Sequence, residues 1–256
     1  MVWVVNEKLA RAFFLGVCRE ELGMLPNLVR VIFALFLIAG VPALSWHSAR
    51  PAQLREVPKT ALYFSAVVSQ WILAGLGVLV AVMAWPNWFG TNFHLVAWSG
   101  FLRWTLLLTV VSVLGLGFVL LLERRGWWPE ESEVVHLLMP ETRREKFWAL
   151  FGMAPTAGIC EEFLYRGFLL AEVSGWFHSA LWGVLVSSAA FGLAHVYQGA
   201  NGMLRAALLG AMLAYPVVRL GSLYPSMTAH FLIDAAALLW LGPKFLPQQS
   251  SSGARP

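Results

Sequence analysis

Charged side chains are scarce in this sequence. Only 12% of its 256 residues are Asp, Glu, Lys or Arg, whereas 59% are hydrophobic and the mean hydropathy is +0.67. A water-soluble domain typically carries about a quarter charged residues. Because a chain of this length with so little charge could not cover one core with polar surface, a single soluble domain is excluded.

Cysteine is nearly absent as well, with only Cys18 and Cys160 in the whole chain. Two cysteines so far apart provide neither a disulfide framework nor a CxxC metal pair. Cys160 precedes Glu161 and could be considered a nucleophile, but nothing indicates an activating partner, and a small packed residue is the interpretation we favour. The net charge of +4 suits anionic lipid head groups. We expect the lipid bilayer as a partner and no nucleic acid.

Long uncharged runs take the place of the missing charges. Residues 61–85 contain one strongly polar side chain, Gln70, and residues 104–122 contain none stronger than Thr and Ser. Both runs exceed the roughly 18 apolar residues that indicate a spanning helix. We therefore predict an all-α, polytopic transmembrane helical bundle of about seven to eight spans. The candidate spans are 29–47, 61–84, 104–122, 147–171, 178–197, 204–220 and 224–242.

The sixth candidate, 204–220, is the weakest, because Pro216 interrupts it between Arg205 and Arg219. It requires either arginines that reach the head groups or a short, partly embedded helix.

The domain organisation follows from these runs. Residues 1–28 mix charges with aromatic residues and are expected to form an amphipathic segment on the membrane surface. Residues 29–242 would form the transmembrane domain and residues 243–256 a disordered tail. The hydrophilic segment 123–146 is expected to rest on the bilayer surface.

The stretch "CEEFLYRGFLL" places Glu161, Glu162 and Arg166 in a span. In a helix, Glu162 and Arg166 share a face with the acid on the N-terminal side, which favours an ion pair. Glu161 would point about 100° away from Glu162, towards another neighbour. One glutamate could then be neutralised while the other stays free. The alternative is a structural salt bridge at a helix end, although ionisable groups at membrane depth usually face a functional path.

Two further polar groups occur in later spans. "FGLAH" places His195 near the end of the fifth span, with Phe191 one turn before it. "HFLID" places His230 and Asp234 four residues apart on the last span, and Asp234 is the only aspartate in the chain. Taken singly, His195 could be a packed or interfacial residue, and His230 with Asp234 could be a hydrogen bond that holds helices together.

Together these groups have what hydrolysis of an amide requires. A carboxylate whose pKa is raised by burial can serve as a general base to water. A histidine can share that task or protonate the leaving amine. Hydrogen-bond donors are needed where the oxyanion forms.

The motifs EExxxR, FxxxH and HxxxD, the last replacing a commoner HxxxN, resemble those of the CPBP family. That family comprises type II CAAX prenyl endopeptidases and their bacterial, Abi-like relatives. The resemblance covers residues 147–241 and implies an intramembrane endopeptidase of the glutamic type. It implies that Glu161 and His195 activate the attacking water, while Glu162 and Arg166 support and orient the site.

The resemblance also implies that His230 and Asp234 stabilise the oxyanion. Because an ionised aspartate would repel an oxyanion, Asp234 must either be protonated or orient His230. A zinc site is a further alternative, with His195, His230 and a carboxylate of Glu161 or Asp234 as ligands. We favour the mechanism without a cofactor, because no HExxH helix is present.

Two other function classes stay open. Ionisable groups in a helical bundle also suit a proton-coupled transporter, but we find no paired repeats. A catalytically inactive family member could act as a membrane scaffold. For the protease, the expected substrate is a membrane-anchored or hydrophobic peptide, with segment 123–146 controlling its access, and the expected location is the bacterial inner membrane.

Overall fold

A computed structural model describes residues 25–48, 51–84, 93–128 and 132–241. Within these ranges the chain is helical and has no β-strand, apart from one isolated bridge between Phe93 and Ser222. Cys18, nearly all of the predicted amphipathic segment 1–28 and the predicted tail 243–256 lie outside the described residues.

Nine helices cover most of the described chain. We label them α1 (Leu25–Ser48), α2 (Pro51–Arg55), α3 (Lys59–Ala84), α4 (Trp98–Arg124), α5 (Glu133–Leu138), α6 (143–177), α7 (Ala180–Ala194), α8 (Gly199–Leu220) and α9 (224–241).

The lengths and compositions of these helices confirm the predicted membrane bundle. Four stretches are long and apolar enough to cross a membrane: α1, α3, α4 and Val196–Leu220, which contains α8. The shorter helix α7 is also apolar. The protein is therefore an integral membrane protein, and its four long helices leave many large apolar side chains exposed, as contact with lipid requires.

Helix α8 differs from the interrupted span predicted there. It continues through Pro216 to Leu220 without a break. Proline removes one backbone donor, and neighbouring hydroxyl groups can compensate in a membrane helix. The carbonyl that Pro216 cannot bond is that of Met212, and Ser226 of α9 donates a hydrogen bond to the next carbonyl, that of Leu213, at 2.7 Å.

The centre of α6 departs from ordinary α-helical geometry. Residues Ala157–Leu169 form a π-helical stretch, and the N–H of Leu170 donates to the carbonyl of Tyr165, five residues earlier. Since a π-helix has more residues per turn, the angle between Glu161 and Glu162 is smaller than the α-helical value that the sequence suggested. Such stretches are rare and occur frequently at functional sites.

Helix α3 packs closely along α6. Tyr63, Ala74 and Ala81 are buried on one face of α3. At Gly77, an added Cβ would lie 3.0 Å from side-chain atoms of both Phe163 and Leu164. Small residues on this face let the two backbones approach each other, as is common between membrane helices.

The hydrophilic segment after α4 contains α5, which is attached to α2 and α3. Arg55 forms an ion pair with Glu133. The hydroxyl of Tyr63 donates to the carbonyl of Leu138 at 2.6 Å, and Nζ of Lys59 to that of Met139 at 2.9 Å. The part of the segment around α5 is therefore folded against the bundle, and its control of substrate access stays a prediction.

Candidate active site

The structure brings the polar motifs together in the middle of the bundle. Glu161, Glu162 and Arg166 lie on the π-helical part of α6, and His195 directly follows α7. His230 and Asp234 lie on α9. Helices α7 and α9 therefore bring their polar side chains to the π-helical part of α6.

His230 is the centre of this cluster. Its Nδ1 lies 2.8 Å from Oε1 of Glu162, and because an ionised carboxylate can only accept, Nδ1 is the donor. Its Nε2 lies 3.8 Å from Oε2 of Glu161 and 3.7 Å from Oδ2 of Asp234. Nε2 therefore faces two carboxylates, and both distances are longer than a hydrogen bond.

Glu162 and Arg166 form a fully buried ion pair. Both side chains are 0% exposed, and NH1 of Arg166 lies 2.9 Å from Oε1 of Glu162, as the four-residue spacing predicted. The guanidinium carbon also lies 4.1 Å from the ring centroid of Phe191, which adds a cation–π contact. A guanidinium and an imidazole therefore both contact the carboxylate of Glu162.

The guanidinium of Arg166 is held against the backbone of α8. Its Nε donates to the carbonyl of Gly210 at 3.4 Å. An added Cβ on Gly210 would lie 2.7 Å from NH2 of Arg166, so only glycine leaves room for the side chain.

Glu161 has different partners. Its Oε1 accepts a hydrogen bond from Nε2 of Gln70 on α3 at 2.8 Å, and its side chain is 15% exposed. No group in the described part of the chain donates a hydrogen bond to its Oε2, which faces His230. The two adjacent glutamates therefore differ in their partners, as the sequence suggested. Glu162 is paired with a cation, and Oε2 of Glu161 accepts no hydrogen bond from the described residues.

His195 ends α7 in a fixed orientation. Its Nδ1 donates to the carbonyl of Phe191 at 2.8 Å. Because that carbonyl can only accept, the neutral imidazole carries its lone pair on Nε2. The Phe191 ring lies 4.6 Å from the His195 ring and 5.9 Å from the His230 ring, measured between centroids. Phe191 thus packs against both imidazoles.

His195 joins the cluster through this aromatic contact. Within the described residues no hydrogen bond or ion pair links His195 to Glu161. Tyr197 also stacks on the His195 ring, with centroids 5.9 Å apart and an interplanar angle of 28°. Ser132, which precedes α5, donates to the Tyr197 carbonyl at 3.2 Å.

The candidate metal ligands do not form a ligand group. Among the residues that the structure describes, no set of three or more His, Cys, Asp and Glu side chains could hold a metal ion. The four alternative zinc ligands are all among these described residues: Glu161, His195, His230 and Asp234. Metal dependence stays a prediction, and the chelator experiment below tests it.

Two residues that contact the predicted site residues were not predicted from the sequence. Gln70 stood out as the one strongly polar residue in 61–85, but nothing assigned it to Glu161. Tyr197 carried no recognisable signal. Cys160, in contrast, is 0% exposed, in agreement with a packed residue.

Comparison with known families identifies the segment that carries the site. Residues 143–236 match the family model described as type II CAAX prenyl endopeptidase Rce1-like. This match confirms the resemblance to CPBP family proteases, and the matched segment contains all six predicted site residues. No curated protein and no solved structure matches the chain.

Proposed function

We propose that this membrane protein is an intramembrane endopeptidase that hydrolyses a peptide bond in a membrane-associated or hydrophobic peptide. The observation that carries the proposal is that two adjacent carboxylates have different partners. Glu162 is engaged by Arg166 and His230, whereas Oε2 of Glu161 has no donor among the described residues and faces Nε2 of His230.

In the proposed reaction, Oε2 of Glu161 takes a proton from water while the water oxygen bonds to the carbonyl carbon of the peptide. The carbonyl π electrons move to its oxygen and form a tetrahedral oxyanion. The proton on Glu161 then passes to the amide nitrogen as the C–N bond breaks. The products are a carboxylic acid and an amine.

The two histidines have separate tasks in this proposal. His195 keeps its lone pair on Nε2 and helps Glu161 to orient and deprotonate the water. His230 already donates from Nδ1 to Glu162, so its Nε2 donates to the oxyanion when that nitrogen is also protonated. Asp234, 3.7 Å from Nε2, orients the imidazole or, when protonated, donates beside it.

The test is cleavage of quenched peptides by the purified protein in detergent, with and without a zinc chelator. The peptides are a farnesylated CAAX-type peptide, the same peptide without its prenyl group, and a hydrophobic library. Glu161→Gln and His195→Ala are expected to lower kcat by about 10²–10⁴-fold. Glu56→Gln is the matched control, because Glu56 is exposed and lies outside both the site and segment 123–146.

Each outcome separates the alternatives. Cleavage by the wild type that is lost in Glu161→Gln and is indifferent to chelator supports the proposal. Loss of cleavage with chelator would instead support the zinc alternative. If the wild type cleaves none of these peptides, the endopeptidase proposal fails for these substrate classes and the scaffold or transporter alternatives become the working hypotheses. The bacterial inner membrane remains our proposed location.

A further inference from the structure

Gln70 lies in a helix that the family match does not cover. It is the one strongly polar side chain in residues 61–85, and the match begins at residue 143. A polar side chain in a membrane helix costs free energy unless it is hydrogen-bonded. Gln70 is bonded to a single group in the described structure, Oε1 of Glu161.

The packing of α3 directs Gln70 towards α6. Seven residues separate Tyr63, Gln70 and Gly77, which places them on one face of the helix. Tyr63 is buried, and Gly77 is the point where α3 approaches Phe163 and Leu164 of α6. One residue after Gln70, Nε1 of Trp71 donates to the hydroxyl of Thr156 on α6 at 3.1 Å. The position of Gln70 beside Glu161 is therefore fixed by contacts on both sides of it.

A neutral amide suits a residue that must both take up and release a proton. Nε2 of Gln70 donates to Oε1 of Glu161, and Oε1 can accept that hydrogen bond whether or not Oε2 carries a proton. A guanidinium in the same place would favour the ionised carboxylate, as Arg166 does for Glu162. Glu161 therefore has a neutral hydrogen-bond partner, whereas the partner of Glu162 is a cation.

The other end of the Gln70 amide is not used to join helices. Its Oε1 is buried, and no group in the described part of the chain donates to it. A glutamine that served only to hold helices together would gain more by using both ends. Its one hydrogen bond to the protein therefore goes to the proposed base.

We infer that Gln70 is a positioning residue for Glu161. Its amide engages Oε1, so that Oε2 is the oxygen presented towards His230 and the attacking water. This inference rests on the proposed function. Because Gln70 acts on the base and not on the peptide, its loss lowers kcat and leaves KM unchanged.

The experiment measures kcat and KM for Gln70→Leu and Gln70→Asn, using the quenched peptides described above. Leucine keeps a similar volume without the amide, and asparagine keeps the amide on a side chain one methylene shorter. Ser69→Ala is the matched control, since among the described residues the exposed Ser69 hydroxyl bonds only to the carbonyl of Ala66 in its own helix. Thermal unfolding in detergent is measured for every variant.

Both Gln70 variants are expected to lower kcat about 10–100-fold with KM within about twofold, because a misplacement near 1 Å can cost that much. Ser69→Ala is expected to match the wild type. Wild-type kcat in Gln70→Leu, or a higher KM at constant kcat, overturns the inference. Should Gln70→Leu fail to fold, Gln70→Asn decides by the same criteria.

Failure of the proposed function is recognised separately. If the wild type cleaves and Glu161→Gln cleaves equally well, Glu161 is not the base and the inference fails with it. If Glu161→Gln is inactive while both Gln70 variants keep full kcat, the proposed function stands and only the role of Gln70 is overturned.

Discussion

Nδ1 of His230 donates a hydrogen bond of 2.8 Å to Oε1 of Glu162, across the interface between α9 and α6. The same carboxylate oxygen lies 2.9 Å from Arg166. This contact shows how two consecutive glutamates acquire different partners. Glu162 holds an arginine and a histidine in place, and the opposite nitrogen of that histidine then faces Glu161.

The buried ion pair gives a prediction for stability. Glu162→Gln leaves the charge of Arg166 buried without its carboxylate and is expected to destabilise the protein by about 3–5 kcal/mol. Arg166→Met should destabilise the protein by a similar amount, because it leaves the charge of Glu162 buried without its guanidinium partner. The double variant removes both charges and should be more stable than either single one. Thermal or denaturant unfolding in detergent measures this, and additive losses would contradict the prediction.

A second prediction concerns the contact between α8 and Arg166. Gly210→Ala places a methyl carbon 2.7 Å from NH2 of Arg166, which is too close for a van der Waals contact. Overpacking of this kind typically costs about 1–3 kcal/mol. The matched control is Gly117→Ala in α4, where an added Cβ meets nothing within 4 Å. Equal unfolding temperatures of the two variants would contradict the prediction and show that Arg166 can move away from the added methyl group.

A third prediction addresses the departure from the commoner HxxxN motif. Asp234→Asn is expected to retain cleavage within a few-fold, because an amide can both donate to an oxyanion and orient His230. Asp234→Leu removes these functions and should lower kcat. Loss of activity in Asp234→Asn would show that this position must carry a charge or bind a metal. Steady-state kinetics on a cleaved peptide, with and without chelator, distinguish these results.

A fourth prediction concerns the segment that carries α5. The double variant Ser132→Ala with Glu133→Ala removes the hydrogen bond to the Tyr197 carbonyl and the ion pair to Arg55. If this segment controls access of the peptide, KM should change while kcat is preserved. A change in kcat alone would instead indicate that Ser132 acts through Tyr197 on His195. Unaltered kinetics would argue against control of access by these two contacts.

Local features of the site could be predicted from the sequence. Glu162 with Arg166 and Phe191 with His195 are pairs four residues apart, and helical spacing alone brings their side chains together. The apolar runs likewise indicated membrane helices, because composition and length suffice for that inference. The continuity of α8 through Pro216 was not predictable, because a proline in a helix interior usually kinks or ends the helix.

What the sequence by itself determined is therefore the membrane bundle, the identity of the polar residues and the pairing of Glu162 with Arg166 and of Phe191 with His195. Only the tertiary structure decided that His230 bonds Glu162 and that Gln70 bonds Glu161, contacts that span 68 and 91 positions of the chain. Hydrophobic periodicity shows which face of a helix is buried but not which residue of a distant helix lies opposite it. That register depends on how closely the backbones pack, as at Gly77, and on the π-helical stretch that turns the glutamates of α6.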